Sequence, residues 1–355
     1  MKILFYISTI RGGGAARVMV NIANSLAEKN YDICFVTNFP SAHEYVLVKT
    51  INRIDIESKE NNKGAIVKNY IRLKKLRKII KTERPDVCVS FMKENNFRLI
   101  LSSRGIYTKT IVSIRNDPAK EYPTKISWLL ARILYKKADG IVFQTEDAQN
   151  AFPDRIRRKG VIIFNQVDDK FYFKREHIGD YILACGRLSK QKNYHMMLKA
   201  FSEVVKKNPG EQLRIYGEGI LKEELLNLTD ELDLSNSVQF MGYSKDMTDV
   251  YRNAKILLMT SEYEGMPNVI LESLASSVPV ISTDCPCGGP RKVIKNGENG
   301  FLVPVDGYNE LVSVMEKVLS DKDLLVRMGC TANKMAEEFK GERVLGEWEK
   351  FITSS

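Results

Sequence analysis

Short apolar runs alternate with helix-patterned segments almost from end to end of this chain, and the alternation runs through twice. Lys2–Ser8 reads as a strand, Ala15–Lys29 as a helix and Asp32–Thr37 as a strand. Asp86–Phe91, Thr110–Ile114, Gly140–Gln144 and Val161–Phe164 are further strand candidates with helices between them. The pattern restarts beyond 165–180 with Tyr181–Cys185, Gln212–Tyr216, Ser237–Phe240, Ile256–Met259 and Val278–Ser282, and predicts helices over 193–207, 220–232, 244–252 and 267–276. Such alternation implies parallel strands joined by crossover helices. At 355 residues the chain has room for two domains of roughly 100–200 residues each. The expected class is α/β, with two Rossmann-like doubly wound parallel sheets facing across a cleft and a helical C-terminal tail. The expected bounds are 1–170, 171–335 and a final helix over 336–355 packing back on the first domain.

Charge divides along the same line. Residues 1–170 carry 31 Lys and Arg against 17 Asp and Glu, a balance of +14, whereas 171–355 carry 23 against 27, a balance of −4. A basic first half facing something anionic follows. Much of the excess lies in 68–81, with Ile66, Val67, Tyr70, Ile71, Leu73, Leu76, Ile79 and Ile80 at helical spacing. That segment reads either as an amphipathic helix on an anionic membrane surface or as a core-packing helix with a solvated basic back. No run approaches the ~20 apolar residues of a membrane span. The six scattered cysteines suit a reducing compartment. The expected location is the cytosol, or the inner face of the cytoplasmic membrane as a peripheral protein.

Glycine-rich turns follow several strands. Gly12-Gly13-Gly14 closes the first strand and opens a helix, where backbone N–H groups and the helix dipole favour an anion. The dinucleotide fingerprint is absent, since Arg17 stands where Gly or Ala is needed and the second strand ends in Thr37-Asn38 rather than an acid. In the second half, Gly186-Arg187-Leu188 and Lys190-Gln191-Lys192 offer a turn, a guanidinium fork and an ammonium from Lys190 or Lys192, all suited to phosphate. Tyr216-Gly217-Glu218-Gly219 ends another strand. Ser261 through Glu272 is sharper still. Glu264 precedes a helix whose Pro267 suits a first turn, and Glu272 lies about two turns inside it. Two carboxylates so placed can accept hydroxyls from both ends of a long polar ligand.

Together these motifs resemble glycosyltransferase family 4, the retaining group 1 transferases of GT-B fold. The likeness covers nearly the whole chain and also rests on Val238–Gly242 and on Asn299–Pro304. It implies a retaining transfer from a nucleotide-sugar, with no metal or other cofactor. Arg187 and Lys192 would neutralise the donor diphosphate. Glu272 would hold the ribose hydroxyls with Asn268 and Val269 beside it, and Glu264 would stand beside the donor sugar. Gly186, Gly217 and Gly219 would line the donor, and Gly13 or Gly14 would bring amides to the diphosphate from the other domain.

Arg115-Asn116-Asp117-Pro118 stands where many relatives carry a histidine, and Cys287 to Arg291 contributes Gly288 and Gly289. Both runs resemble the branch that builds bacterial surface polysaccharides and lipid-linked oligosaccharides. That branch implies UDP-galactose, UDP-N-acetylgalactosamine or UDP-N-acetylglucosamine as donor, a lipid-linked saccharide acceptor and an anionic membrane as partner. Arg115 with Asn116 would then contact sugar or acceptor, unless Arg115 is structural; Gly288 and Gly289 would offer amides to the sugar. Ser277 replaces a frequent glycine. The one Asp-X-Asp triplet, Asp321 to Asp323, reads as a helix start rather than a metal site. His195 is expected to be exposed. Competing classes are a nucleotide-sugar 2-epimerase of similar design and a non-catalytic basic module for lipid or nucleic acid. Nucleic acid is disfavoured because Tyr70 is nearly the only aromatic within the basic run.

Overall fold

In the computed structural model, residues 1–59, 64–175, 177–244 and 246–354 are described. Glu176 of the expected junction, Lys245 of the helix expected over 244–252, and Ser355 lie outside them. The chain forms two compact units, one of residues 1–165 with 342–355 and one of 166–341.

The first unit is built on a seven-stranded parallel sheet: β1 Lys2–Ile7, β2 Asp32–Thr37, β3 Asn52–Asp55, β4 Val87–Phe91, β5 Lys109–Ser113, β6 Gly140–Phe143 and β7 Gly160–Ile162, in the order β3-β2-β1-β4-β5-β6-β7. The second holds six: β8 Tyr181–Cys185, β9 Leu213–Tyr216, β10 Val238–Gly242, β11 Ala254–Met259, β12 Val280–Thr283 and β13 Gly300–Val303, in the order β10-β9-β8-β11-β12-β13. Both are doubly wound, and both reverse strand order beside their first strand. The central strands are buried on both faces, so they read as continuous Val/Ile/Leu/Phe runs. Two strands escaped the sequence reading. Asn52-Arg-Ile-Asp55 has one aliphatic residue and lies at a sheet edge beside β2, and Gly300–Val303 becomes a strand only through its pairing with β12.

The unit boundaries fall at 165/166 and 341/342, rather than at 170/171 and 335/336. Val167 bridges Lys340 in parallel, its N–H donating to Phe339 O at 2.9 Å, and Tyr172 Oη donates to Ala336 O at 2.8 Å. These bonds hold both segments in the second unit. The helix Gly341–Thr353 carries Trp348, fully buried in the first unit's core 5.3 Å from Phe91.

The basic helix Ala65–Glu83 packs on the core through only part of its stripe. Leu76 and Ile80 are fully buried beneath it, whereas Ile66 and Tyr70 stand exposed near its start. Arg72 pairs with Glu57, and Arg77 donates to Ser102 O and Arg104 O, so part of its charge is spent on structure. Ser277 takes a left-handed φ of 59°, the conformation that explains a glycine at such a position. Asp321 caps the helix Lys322–Met335, accepting from Leu324 N–H at 2.8 Å. His195 is half-buried rather than exposed, with Nε2 2.7 Å from Glu224 Oε1.

Candidate functional site

In the second unit, β8 and β11 are neighbours whose following helices leave toward opposite sides. The crevice at the carboxyl ends of such a pair is where open α/β sheets hold ligands. Three loops meet there, after β8, β11 and β12, and backbone bonds knit them together. Glu262 N–H donates to Gln191 O at 2.8 Å, and Gln191 Nε2 donates to Tyr263 O at 2.8 Å. Thr260 Oγ1 donates to the carbonyls of Lys192 and Asn193. Glu264 N–H donates to Pro286 O at 2.7 Å, and Cys287 N–H returns a bond to Glu264 O at 2.9 Å.

This scaffold fixes Glu264. The residue is 9% exposed, and its Oε1 accepts from Lys192 Nζ at 2.6 Å and from Ser261 Oγ at 2.9 Å. Thr283 Oγ1 donates to Ser261 O at 2.6 Å, which holds the serine in turn. Between the two candidate ammonium groups, it is therefore Lys192 that meets the carboxylate. Arg187, two residues beyond the end of β8, is exposed and makes no ion pair or hydrogen bond among the described residues. A fixed ammonium and an unengaged guanidinium thus share one strand end.

Glycine lets the neighbouring loops approach. A Cβ on Gly217 would lie 1.9 Å from Gly186 O, and one on Gly219 would lie 2.2 Å from Leu188 O. Gly186 N–H donates to Tyr216 O, so the turns after β8 and β9 lie backbone to backbone. On the other flank, a Cβ on Gly289 would sit 1.8 Å from Gly265 O, beside Glu264. Gly288 N–H closes the adjoining turn on Cys285 O at 3.0 Å.

Glu272 lies in the helix Asn268–Ala275 and is 4% exposed. Tyr251 Oη reaches both Glu272 Oε2, at 3.1 Å, and Val269 O, at 3.2 Å. Asn268 and Val269 form the half-buried first turn of the same helix. Ser261, Gln191, Thr283 and Tyr251 were not singled out in the sequence. Ser261 and Gln191 lie inside the motif runs, but nothing local marks Tyr251, which arrives from another helix.

The remaining candidates belong to the first unit. Gly12 and Gly13 take left-handed φ values of 53° and 85°, and the exposed turn passes into the helix Gly14–Glu28 at the β1/β4 reversal. Asn116 is half-buried. Arg115 stacks 4.5 Å over the Phe91 ring and donates through Nη2 to Asn165 Oδ1, while its Nη1 is buried without a partner. Burial lowers its pKa to about 9.

Nearby, Glu121 Oε1 accepts from Lys93 N–H at 2.9 Å, and its Oε2 is buried without a partner. Burial raises this carboxyl from 4.5 to about 7. The charged form is penalised in the fold, so stability is greatest below the unfolded value and is lost as pH rises through the folded one. Glu121→Gln should therefore raise stability at pH 8 by about 2–3 kcal/mol and change little near pH 4.5. Urea melts at the two pH values measure this; equal shifts at both would refute it.

Comparison with known proteins agrees with this architecture. The profile for "Glycosyl transferases group 1" matches residues 168–335, and that for "Glycosyltransferase Family 4" matches 12–171. An N-acetylgalactosaminyltransferase of Campylobacter jejuni, named for an undecaprenol-diphosphate-linked saccharide acceptor, is 30% identical over 99% of this chain and 98% of its own. The amylovoran biosynthesis glycosyltransferase AmsD of Erwinia amylovora is 26% identical over 99% of both chains. Among solved structures, Anabaena HepE in complex with UDP and glucose superposes with a TM-score of 0.84 at 18% identity, over the full length of both chains. On its two doubly wound sheets, its matched profiles and its end-to-end identity with the Campylobacter enzyme, the chain belongs to glycosyltransferase family 4 and is a glycosyltransferase of GT-B fold.

Proposed function

We propose that this glycosyltransferase moves a hexose or N-acetylhexosamine from a UDP-sugar to a lipid-linked saccharide, with retention at the anomeric carbon and without a metal, during assembly of a bacterial surface glycan. One observation carries the reading: Lys192 held by buried Glu264, with Arg187 unengaged, at the reversal of strand order in the second unit. The names of the Campylobacter and Erwinia relatives support the acceptor class and the polysaccharide context. Those of the Campylobacter enzyme and HepE support an N-acetylhexosamine or glucose donor and UDP.

A leaving UDP gathers negative charge as the glycosidic bond breaks. Cations already oriented stabilise that charge more than water does, because they need not reorganise. An ammonium has three donors, and Glu264 takes one of Lys192's, leaving two for phosphate oxygens. Arg187 supplies a planar fork for a second pair of oxygens. Glu272, fixed by Tyr251, accepts ribose hydroxyls, and Glu264 faces the sugar. With two cations at the diphosphate, and Asp321 spent on a helix cap, the charge is balanced by side chains. The first unit's balance of +14 supports contact with an anionic membrane that carries the acceptor.

Arg187→Ala should lower turnover about 10²–10³-fold and leave the melting temperature unchanged, since Arg187 holds nothing in the fold. The assay supplies UDP-sugars and an undecaprenyl-diphosphate-linked acceptor, follows UDP release, and reads the product anomer by NMR. Unchanged turnover would refute the diphosphate assignment, and an inverted anomer would refute retention. An epimer formed from donor alone would replace transfer by 2-epimerisation.

A further inference from the structure

The helix Lys125–Tyr135 has an outward face that nothing in the first unit covers. Its inner face is complete. Ala131, Leu134 and Tyr135 are buried, Tyr135 Oη meets Tyr122 Oη at 2.6 Å, and Trp128 packs 5.2 Å from Phe152. The helix start is fixed by its own capping box, Thr124 with Ser127. On the other side Ile126, Leu129, Leu130 and Ile133 recur at helical spacing, and they are 73%, 58%, 46% and 44% exposed. Single exposed aliphatic residues are ordinary; four on one stripe are not.

The charge around the stripe is of one sign. Lys125, Arg132, Lys136 and Lys137 are all exposed, and none makes an ion pair among the described residues. No Asp or Glu lies between 125 and 137. At 100° per residue, Lys125, Arg132 and Lys136 fall along one border of the apolar stripe, and Lys137 continues its end. A second copy of the chain packed symmetrically on this face would bring like charges together.

We infer that this helix face docks on an anionic phospholipid surface, with the aliphatic stripe entering the headgroup boundary and the four cations meeting lipid phosphates. The inference deepens the membrane part of the proposed function and replaces the helix Ala65–Glu83 as the principal contact. It needs no sugar nucleotide, so its failure leaves the transfer reading intact.

Full-length protein is sedimented with vesicles of equimolar phosphatidylglycerol and phosphatidylcholine, and with phosphatidylcholine alone, at low and high salt. The wild type should bind the anionic vesicles, more weakly at high salt, and bind the zwitterionic ones far less. A triple variant, Leu129→Gln, Leu130→Gln and Ile133→Gln, should lose at least ~100-fold in partitioning at an unchanged melting temperature. Absence of wild-type binding, or wild-type binding by the triple variant, would overturn the inference. So would a concentration-dependent dimer that the triple variant abolishes, or selective loss of binding to an acidic protein with vesicle binding intact.

Discussion

Turnover should fall about 10³-fold when Lys192 is replaced by alanine, and the melting temperature should fall with it. The two losses have separate causes. Catalysis would lose the ammonium proposed to meet the leaving diphosphate. Stability would suffer because, among the described residues, Glu264 keeps only Ser261 Oγ as a side-chain donor while 9% exposed. A buried carboxylate stripped of its counter-ion costs several kcal/mol in full burial; for a pair whose side chains keep 16% and 12% of their exposure, about 1–3 kcal/mol is expected. The double variant Lys192→Ala/Glu264→Gln separates them, because a neutral amide needs no counter-ion. It should recover most of the lost stability and none of the lost turnover. Steady-state kinetics and thermal melts on the three proteins decide the matter. Turnover of Lys192→Ala within threefold of wild type would move the diphosphate elsewhere.

Gly289→Ala should be among the most damaging single-methyl changes in the second unit. The added Cβ would lie 1.8 Å from Gly265 O, and neither neighbour is a side chain that can swing away. The loop after β12 must separate from the loop after β11, breaking the reciprocal bonds of Glu264 with Pro286 and Cys287. A loss of about 3 kcal/mol or more is expected, with turnover down at least ~10²-fold because Glu264 shifts. Gly297→Ala is the control: its φ is positive, at 78°, whereas that of Gly289 is not, and nothing lies within 4 Å of the added carbon. Only conformational strain remains there, about 1–2 kcal/mol. Equal urea midpoints for the two variants would show that the contact at Gly289 relaxes freely.

Much of this was legible without coordinates. The doubly wound pattern showed in β1, β2, β4 and β8 because strands buried on both faces carry uninterrupted apolar runs. The Gly186–Lys192 and Glu264–Glu272 segments stood out because each gathers glycine with charged side chains directly after an apolar strand. Asn52–Asp55 did not, since an edge strand takes its identity from its neighbour's hydrogen bonds rather than from its own side chains. Between Lys190 and Lys192, composition offered no choice; the 2.6 Å bond to Glu264 made it.

The two amphipathic helices show where the limit lies. Ala65–Glu83 and Lys125–Tyr135 both carry aliphatic residues beside basic ones, and the sequence reading singled out only the first. In one the stripe partly enters the core through Leu76 and Ile80; in the other Ile126, Leu129, Leu130 and Ile133 remain outside. Residue order thus specified the strands, the crossover helices and the chemical types gathered at the strand ends, because those follow from local periodicity and side-chain chemistry. Which stripe is covered, which lysine meets Glu264 and which tyrosine steadies Glu272 were settled by packing, since each depends on groups brought together from distant parts of the chain.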